Sequence, residues 1–238
     1  FHFAASFANE LSIEHPIVDS QVNTQGTINI LELARKMDVK HVIYASSSSC
    51  YGDGHVPFEE KDPANPQTPY AISKLAGEYY ALSFNRLFGL PTTSLRFFNV
   101  YGKNDYPGKF RNVIPNFFAR ALDNKPLNIT GEMSTRDFMY VHDAVEMSIV
   151  AMEKKPVCEV INVGTGIETR IVDLAKEIIE ITGNNVEVKI SKRRHWDCVV
   201  RRVASTEKAE RLLSYKAKVS LADGLKETCN WFREWWHR

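Results

Sequence analysis

Cysteine is scarce: Cys50, Cys158, Cys198 and Cys229 are scattered through 238 residues without C-x-x-C spacing. That excludes a zinc site and a disulfide framework, and sets the expectation of a reducing, cytoplasmic setting with no bound metal. Charge of one sign is also missing, since 30 basic residues stand against 29 acidic ones. No global field then draws in nucleic acid or a membrane surface. No apolar run is long enough to span a bilayer, and no targeting segment is visible. What is present, 44% hydrophobic and 25% charged, is the composition of a soluble globular chain with material for a sizeable core.

The most organised stretch lies around 69–89. Pro69 sits where a proline is tolerated at the first helical position, and Gly89 where a left-handed residue ends a helix. The residues between read as one helix of about five turns. Ile72, Leu75, Ala76, Tyr79 and Leu82 are its expected buried stripe. Tyr70 and Lys74, four apart, then share a second face and can meet around one ligand. Positive charge beside a phenol favours phenolate and lowers the tyrosine pKa, which makes Tyr70 a candidate general base. Alone, the same spacing also describes a surface tyrosine beside a solvated lysine.

Residues 41–47, H-V-I-Y-A-S-S, read as a buried strand ending in hydroxyls. Strand carboxyl ends carry the chemistry of parallel sheets. Ser46, Ser47, Ser48 and Ser49 stand there, and a serine bonded to a reacting hydroxyl completes a Ser, Tyr, Lys set; otherwise such a cluster is an ordinary loop. Residues 92–98 read as the next strand. Residues 6–15 read as a loop, and roughly 17–37 as a helix with Val22, Ile28, Leu31 and Ala34 inward. Residues 53–68, rich in Pro, Asp and Glu, form a lid-like loop. From Ser220 an amphipathic helix opens with S-L-A-D as capping box and ends in Trp231, Phe232, Trp235 and Trp236, as core or dimer contact.

Five ordered motifs then converge: S-S-S-S-C-Y-G at 46–52, P-Y-A-I-S-K at 69–74, L-R-F-F-N-V-Y-G at 95–102, T-R-D-F-M-Y-V-H-D at 135–143 and N-V-G-T-G at 162–166. With them the chain resembles the extended short-chain dehydrogenase/reductase family, and within it the NAD-dependent nucleotide-sugar epimerases of the UDP-glucose 4-epimerase type. The resemblance implies an α/β fold: the C-terminal part of a Rossmann-like doubly wound parallel sheet plus a smaller α/β substrate-binding lobe. Residues 1–110 would be a partial NAD-binding domain and 111–238 mainly the nucleotide-sugar lobe, with 135–165 returning in part to the first. The opening F-H-F-A-A-S resembles the end of the family's fourth strand, so the first strands and the Gly-rich phosphate turn, on the order of 70 residues at about 30 per βαβ unit, would precede it. Gly52 and Gly54 lie too near a Pro-rich loop to replace that turn, and Gly164 and Gly166 come too late.

The resemblance also implies residue roles. Ser47, Tyr70 and Lys74 are the catalytic set. Ala4, Ala5, Asn23, Ser46, Tyr70, Lys74 and Phe97 belong to the NAD site, Asn23 by holding the loop beneath the cofactor; for Phe97 the alternative is core. Phe98, Asn99, Asn112, Arg136, Arg194 and Asp197 belong to the sugar-nucleotide site, Arg136 and Arg194 on the diphosphate. Asp137 and His142 read as structural. Trp196 replaces the glycine of the usual R-x-G-D, and one extra residue follows Asp197. Registered from Asp197, Arg201 takes the position that limits sugar size; registered from Ala204, Arg202 does. An arginine there favours an acidic sugar such as a uronate, or turns to solvent.

On this reading Tyr70 takes the sugar 4-hydroxyl proton, Lys74 holds the ribose, and Ser47 bonds the reacting oxygen of a UDP-sugar that passes through a 4-keto form. A 4,6-dehydratase of the family would carry Asp-Glu where Ser48 and Ser49 stand, a decarboxylase glutamate at Ser49, and a reductase cysteine there. A homodimer through the helix at 17–37 and the central helix is also implied. The rival from another class is a truncated, non-catalytic fragment that binds a nucleotide sugar, with an exposed edge at 1–5 inviting self-association.

Overall fold

The structure, a computed structural model, describes residues 1–236. Helical pieces follow the first loop almost without a break: α1 (Asn9–Glu14), α2 (Pro16–Asp19), a π-type turn (Ser20–Gln25) and α3 (Gly26–Lys36). The expected loop at 6–15 is thus partly helical, and the expected single helix at 17–37 is segmented. Of its four inward residues, Leu31 and Ala34 are buried, Ile28 is half-buried and Val22 is exposed. The wider turn is the reason, because it rotates Asn23 and Thr27 into the inward positions instead.

Next come β1 (Val42–Ser47), a 3₁₀ turn (Ser48–Tyr51), α4 (Pro69–Phe88) and β2 (Thr92–Phe97). Thr68 caps α4 by accepting from the Ala71 amide at 3.2 Å, Pro69 is its first residue, and Gly89 closes it at φ 70°. The chain continues through β3 (Val100–Tyr101), α5 (Val113–Leu122), β4 (Leu127–Thr130), β5 (Thr135–Arg136), β6 (Met139–Tyr140), α6 (Val141–Lys154) and β7 (Glu159–Val163). It closes with β8 (Thr169–Arg170), α7 (Ile171–Thr182), β9 (Val188–Ser191), α8 (Glu207–Leu213) and α9 (Leu221–Trp236). Strands β1, β2 and β7 form a three-stranded parallel sheet in that order, with Ser47 opposite Phe97 and Phe97 opposite Val163. Their carboxyl ends therefore finish level. His2 bridges Tyr44 on the open side of β1, so 1–5 lies beside the sheet without extending it as a full strand.

The buried face of α4 differs from the expected stripe. Ile72 and Tyr79 are exposed and Leu75, Ala76 and Leu82 half-buried, while Ala71, Lys74, Gly77, Glu78, Ala81 and Phe84 face inward. Two contacts fix this rotation. Tyr44 stands up from β1 against Gly77, where an added Cβ would lie 2.2 Å from the phenol oxygen. Glu78 accepts from Arg96 Nε at 3.0 Å and from the Ser46 hydroxyl at 2.8 Å, and pairs with Arg96 through its second oxygen as well. A polar pair and a small residue, both invisible to a hydrophobic count, orient the helix.

Ile43, Leu95, Met147, Ile161, Val163, Leu213 and Tyr215 build one core beneath the sheet. A second core joins α5, α7 and α9 through Phe117, Phe118, Leu174, Ile178, Leu225 and Phe232. Asp137 fastens the segments between them. Its carboxylate accepts from the amides of Thr165, Gly166 and Ala204 and from the Thr165 hydroxyl. At α9, the Asp223 amide donates to Ser220 Oγ at 3.1 Å, while the Ser220 hydroxyl donates back to the Asp223 carboxylate at 2.6 Å. Among the described residues no helix is long and apolar enough to cross a membrane.

Candidate active site

Because β1 ends at Ser47 and α4 begins at Pro69, three side chains expected from the sequence meet at the strand end. Ser47 Oγ accepts from the Ser49 amide at 3.1 Å and so caps the 3₁₀ turn. The Tyr70 amide donates to Ser12 Oγ at 3.0 Å, which ties the start of α4 to α1. The Tyr70 ring meets Phe7 edge-on at 6.2 Å. One turn on, Lys74 Nζ lies 4.7 Å from the centre of the Tyr44 ring. Ser47, Tyr70 and Lys74 line one cavity of about 530 Å³, together with Ala5, Ser46 and Phe97.

Burial sets the protonation behaviour here. It pushes the Tyr70 phenol up to about 12, against the pull of the Ser47 hydroxyl and the Arg202 cation. It brings the Lys74 ammonium down to about 8. The tyrosine pKa thus stands raised rather than lowered as expected, because burial outweighs the groups that favour phenolate. Lys74 sits over Tyr44, and Arg202 is the cation that opposes burial at the phenol.

A second cavity, of about 330 Å³, is lined by Asn99, Asn112, Arg136, Arg194 and Asp197. Arg136 is nearly buried, donates to the Val200 carbonyl at 3.2 Å, and lies 3.7 Å from Asp197. Arg194 pairs with Glu10 at 3.2 Å and stacks over Trp196. Asn99 donates to the Asp137 carbonyl at 3.0 Å. Asn112 stands just before α5 with its side chain free of the cap. Asn99, Asn112, Arg194, Trp196 and Arg202 line both cavities, which makes them one continuous site. The two arginine registers are also distinguished: Arg201 is turned outward and forked on Glu168 at 2.7 and 2.6 Å, whereas Arg202 is buried in the site.

Three expected residues lie outside the cavity walls. Ala4 is exposed and lines neither cavity. Asn23 is buried behind the first loop, where it accepts from the Ser6 amide at 2.7 Å and donates to the Ser6 carbonyl at 3.0 Å. Phe98 is wholly buried against Tyr51, Phe58 and Val203. Alternation along the extended chain turns Phe97 to the cavity and Phe98 to the opposite side. His142 is exposed beside Tyr140, also outside the site. Sequence reasoning passed over Ser49, Arg111 and Trp196 as lining residues. Position next to Asn112 was the available signal for Arg111; Trp196 occupied a place where the motif called for glycine.

Among the described residues no group of His, Cys, Asp and Glu could hold a metal. The larger cavity does suit NAD. Lys74 is buried there without a carboxylate contact among the described residues, beside the Ser46 and Ser47 hydroxyls and the Phe3 and Phe97 rings. A cation among hydroxyls and aromatic planes complements a ribose and a flat ring.

Known proteins share this fold. The sequence pattern of the NAD dependent epimerase/dehydratase family matches residues 1–164. An epimerase structure from Methanothermobacter thermautotrophicus is 42% identical with a TM-score of 0.96, over 100% of this chain and 72% of that one. The structure of UDP-glucose 4-epimerase with UDP-glucose from Thermotoga maritima is 35% identical with a TM-score of 0.95, over 99% of this chain and 77% of that one. The UDP-N-acetyl-alpha-D-glucosaminuronate decarboxylase of Bacillus cytotoxicus is 37% identical over 246 aligned residues, 98% of this chain and 76% of that protein. The chain belongs to the NAD-dependent epimerase/dehydratase family, enzymes that act on nucleotide sugars with NAD as cofactor.

Proposed function

We propose that this site epimerises a nucleotide sugar, a UDP-sugar, at C4 through a 4-keto form. One observation carries the choice within the family. The cavities' acidic lining side chains, Glu10 and Asp197, are each paired with an arginine, and the positions after Ser47 are Ser48 and Ser49. Among the described residues no unpaired carboxylate lines the cavities to remove water or to serve a decarboxylation.

The chain's own groups then divide the work. Tyr70 Oη accepts the 4-hydroxyl proton, and Ser47 Oγ bonds the same oxygen and stabilises charge that develops on it. Ala5, Ser46, Tyr70, Lys74 and Phe97 would hold NAD, with Asn23 bracing the loop behind it. Bound there, NAD supplies the two-electron acceptor and donor at C4, so that net redox is zero. Asn99, Asn112, Arg136 and Arg194, with Asp197 orienting Arg136, hold the nucleotide sugar. Residues up to about 110 serve the cofactor and most of the remainder the substrate, in a cytoplasmic enzyme that works as a homodimer through the outer faces of α2, α3 and α4.

Incubation of the chain with NAD and UDP-glucose, followed by chromatography of the sugars, tests the reading. UDP-galactose is the expected product, and Tyr70→Phe should lower the rate about 10²- to 10⁴-fold. A 4-keto-6-deoxy product, or an unchanged rate in the variant, would overturn it.

A further inference from the structure

We propose that Arg202 reads the sugar itself, and that the sugar carries a carboxylate, so that the substrate is a nucleotide uronate. The inference rests on the nucleotide-sugar reading above and adds to it the class of sugar.

Among the described arginines that line the site, the exposed Arg111 apart, charge matching marks Arg202. Arg136 has Asp197 and the carbonyls of Thr135 and Val200; Arg194 has Glu10; the neighbouring Arg201 has Glu168. Arg202 is 8% exposed, its Nε has no partner, and among the described residues it forms no ion pair. A guanidinium taken out of water without a counter-charge is costly unless an anion meets it. Burial and the nearby Arg136 depress even this group, to about 9, and Asp197 only partly offsets them.

Placement says which anion. Arg136 and Asp197 line the smaller cavity alone, whereas Arg202 lines both and reaches the space bounded by Ser47 and Tyr70. The spare charge therefore stands at the reacting end of the ligand, beside the phenol. Its backbone is fixed there, because the Arg202 carbonyl accepts from the Asp137 amide at 3.0 Å and the Ala204 amide donates to the Asp137 carboxylate at 3.2 Å. A guanidinium presents a planar fork that fits a carboxylate with two parallel hydrogen bonds, and a neutral hydroxymethyl group leaves that fork unpaired.

Titration calorimetry with UDP, UDP-glucose and UDP-glucuronate separates the possibilities. UDP-glucuronate should bind about tenfold or more tightly than UDP-glucose. Arg202→Gln should bring the ratio of UDP-glucuronate to UDP-glucose affinity down to about one by weakening the uronate selectively, while Arg202→Lys should keep part of the preference. The comparison on the unaltered chain stands whatever the stability of the variants. UDP-glucuronate binding no more tightly than UDP-glucose would overturn the inference alone. So would an equal loss of all three ligands in Arg202→Gln, which would assign the guanidinium to the diphosphate. Failure of UDP itself to bind the unaltered chain would overturn the nucleotide-sugar reading and this inference with it.

Discussion

Lys74 shows at the scale of one residue how a functional group works against the fold that carries it. Its ammonium is buried over the Tyr44 ring, and its pKa of about 8 lies below the 10.5 of an ordinary lysine. Folding therefore favours the neutral amine. The cost of the charge is fully present below pH 8, and stability rises as pH climbs from there towards 10.5. Lys74→Met should raise the melting temperature at pH 7, by an amount on the order of 3 kcal/mol or less in free energy, while abolishing turnover. The gain should shrink by pH 10.5; thermal melts showing the same gain at both pH values would contradict the assignment. Tyr70 has the complementary problem. With its phenol near 12, the base it offers grows with pH through the neutral range, so the rate should climb from pH 7 to 9.

At the scale of one element, α4 is held by a pair that lies outside the chemistry. Glu78 and Arg96 are almost completely buried and bonded through both carboxylate oxygens, with Ser46 adding a third contact and Tyr51 lying 4.5 Å from the guanidinium. Removing one partner strands the other charge. Glu78→Gln should cost about 3–5 kcal/mol in urea unfolding, and the double change Glu78→Leu with Arg96→Met clearly less. If the single and double variants lose equal stability, the pair is not what orients the helix. The same orientation carries Tyr70 and Lys74 to the end of β1, so this structural pair positions the residues proposed for catalysis without lining the cavity.

At the scale of the whole molecule, rotating α4 leaves its apolar side outward. Ile72, Tyr79 and Tyr80 on α4, Leu33 on α3, and Ile17 and Val18 on α2 are all exposed. A surface of this kind fits a symmetric contact between two copies. Sedimentation at micromolar concentration should give a dimer, and Ile72→Lys with Tyr79→Lys should give a folded monomer. A monomeric unaltered chain would remove that proposal. The apolar periodicity of α4 was legible in the sequence, but its direction was not: spacing defines a stripe and says nothing of whether a sheet or a second copy covers it.

The sequence by itself determined the ends of α4, through Pro69 and Gly89, and the common face of Tyr70 and Lys74, through the i, i+4 spacing between them. These are local matters of backbone dihedral and periodicity, and neighbouring residues contain them. Tertiary structure decided the rest. Phe98 is turned into core against Tyr51, Phe58 and Val203, and Arg202 lines the site while Arg201 is forked on Glu168 outside it. Arg202, 132 residues away in the chain, is among the groups that oppose burial at Tyr70. Burial and charge pairing are sums over groups distant in sequence, and no spacing rule encodes them.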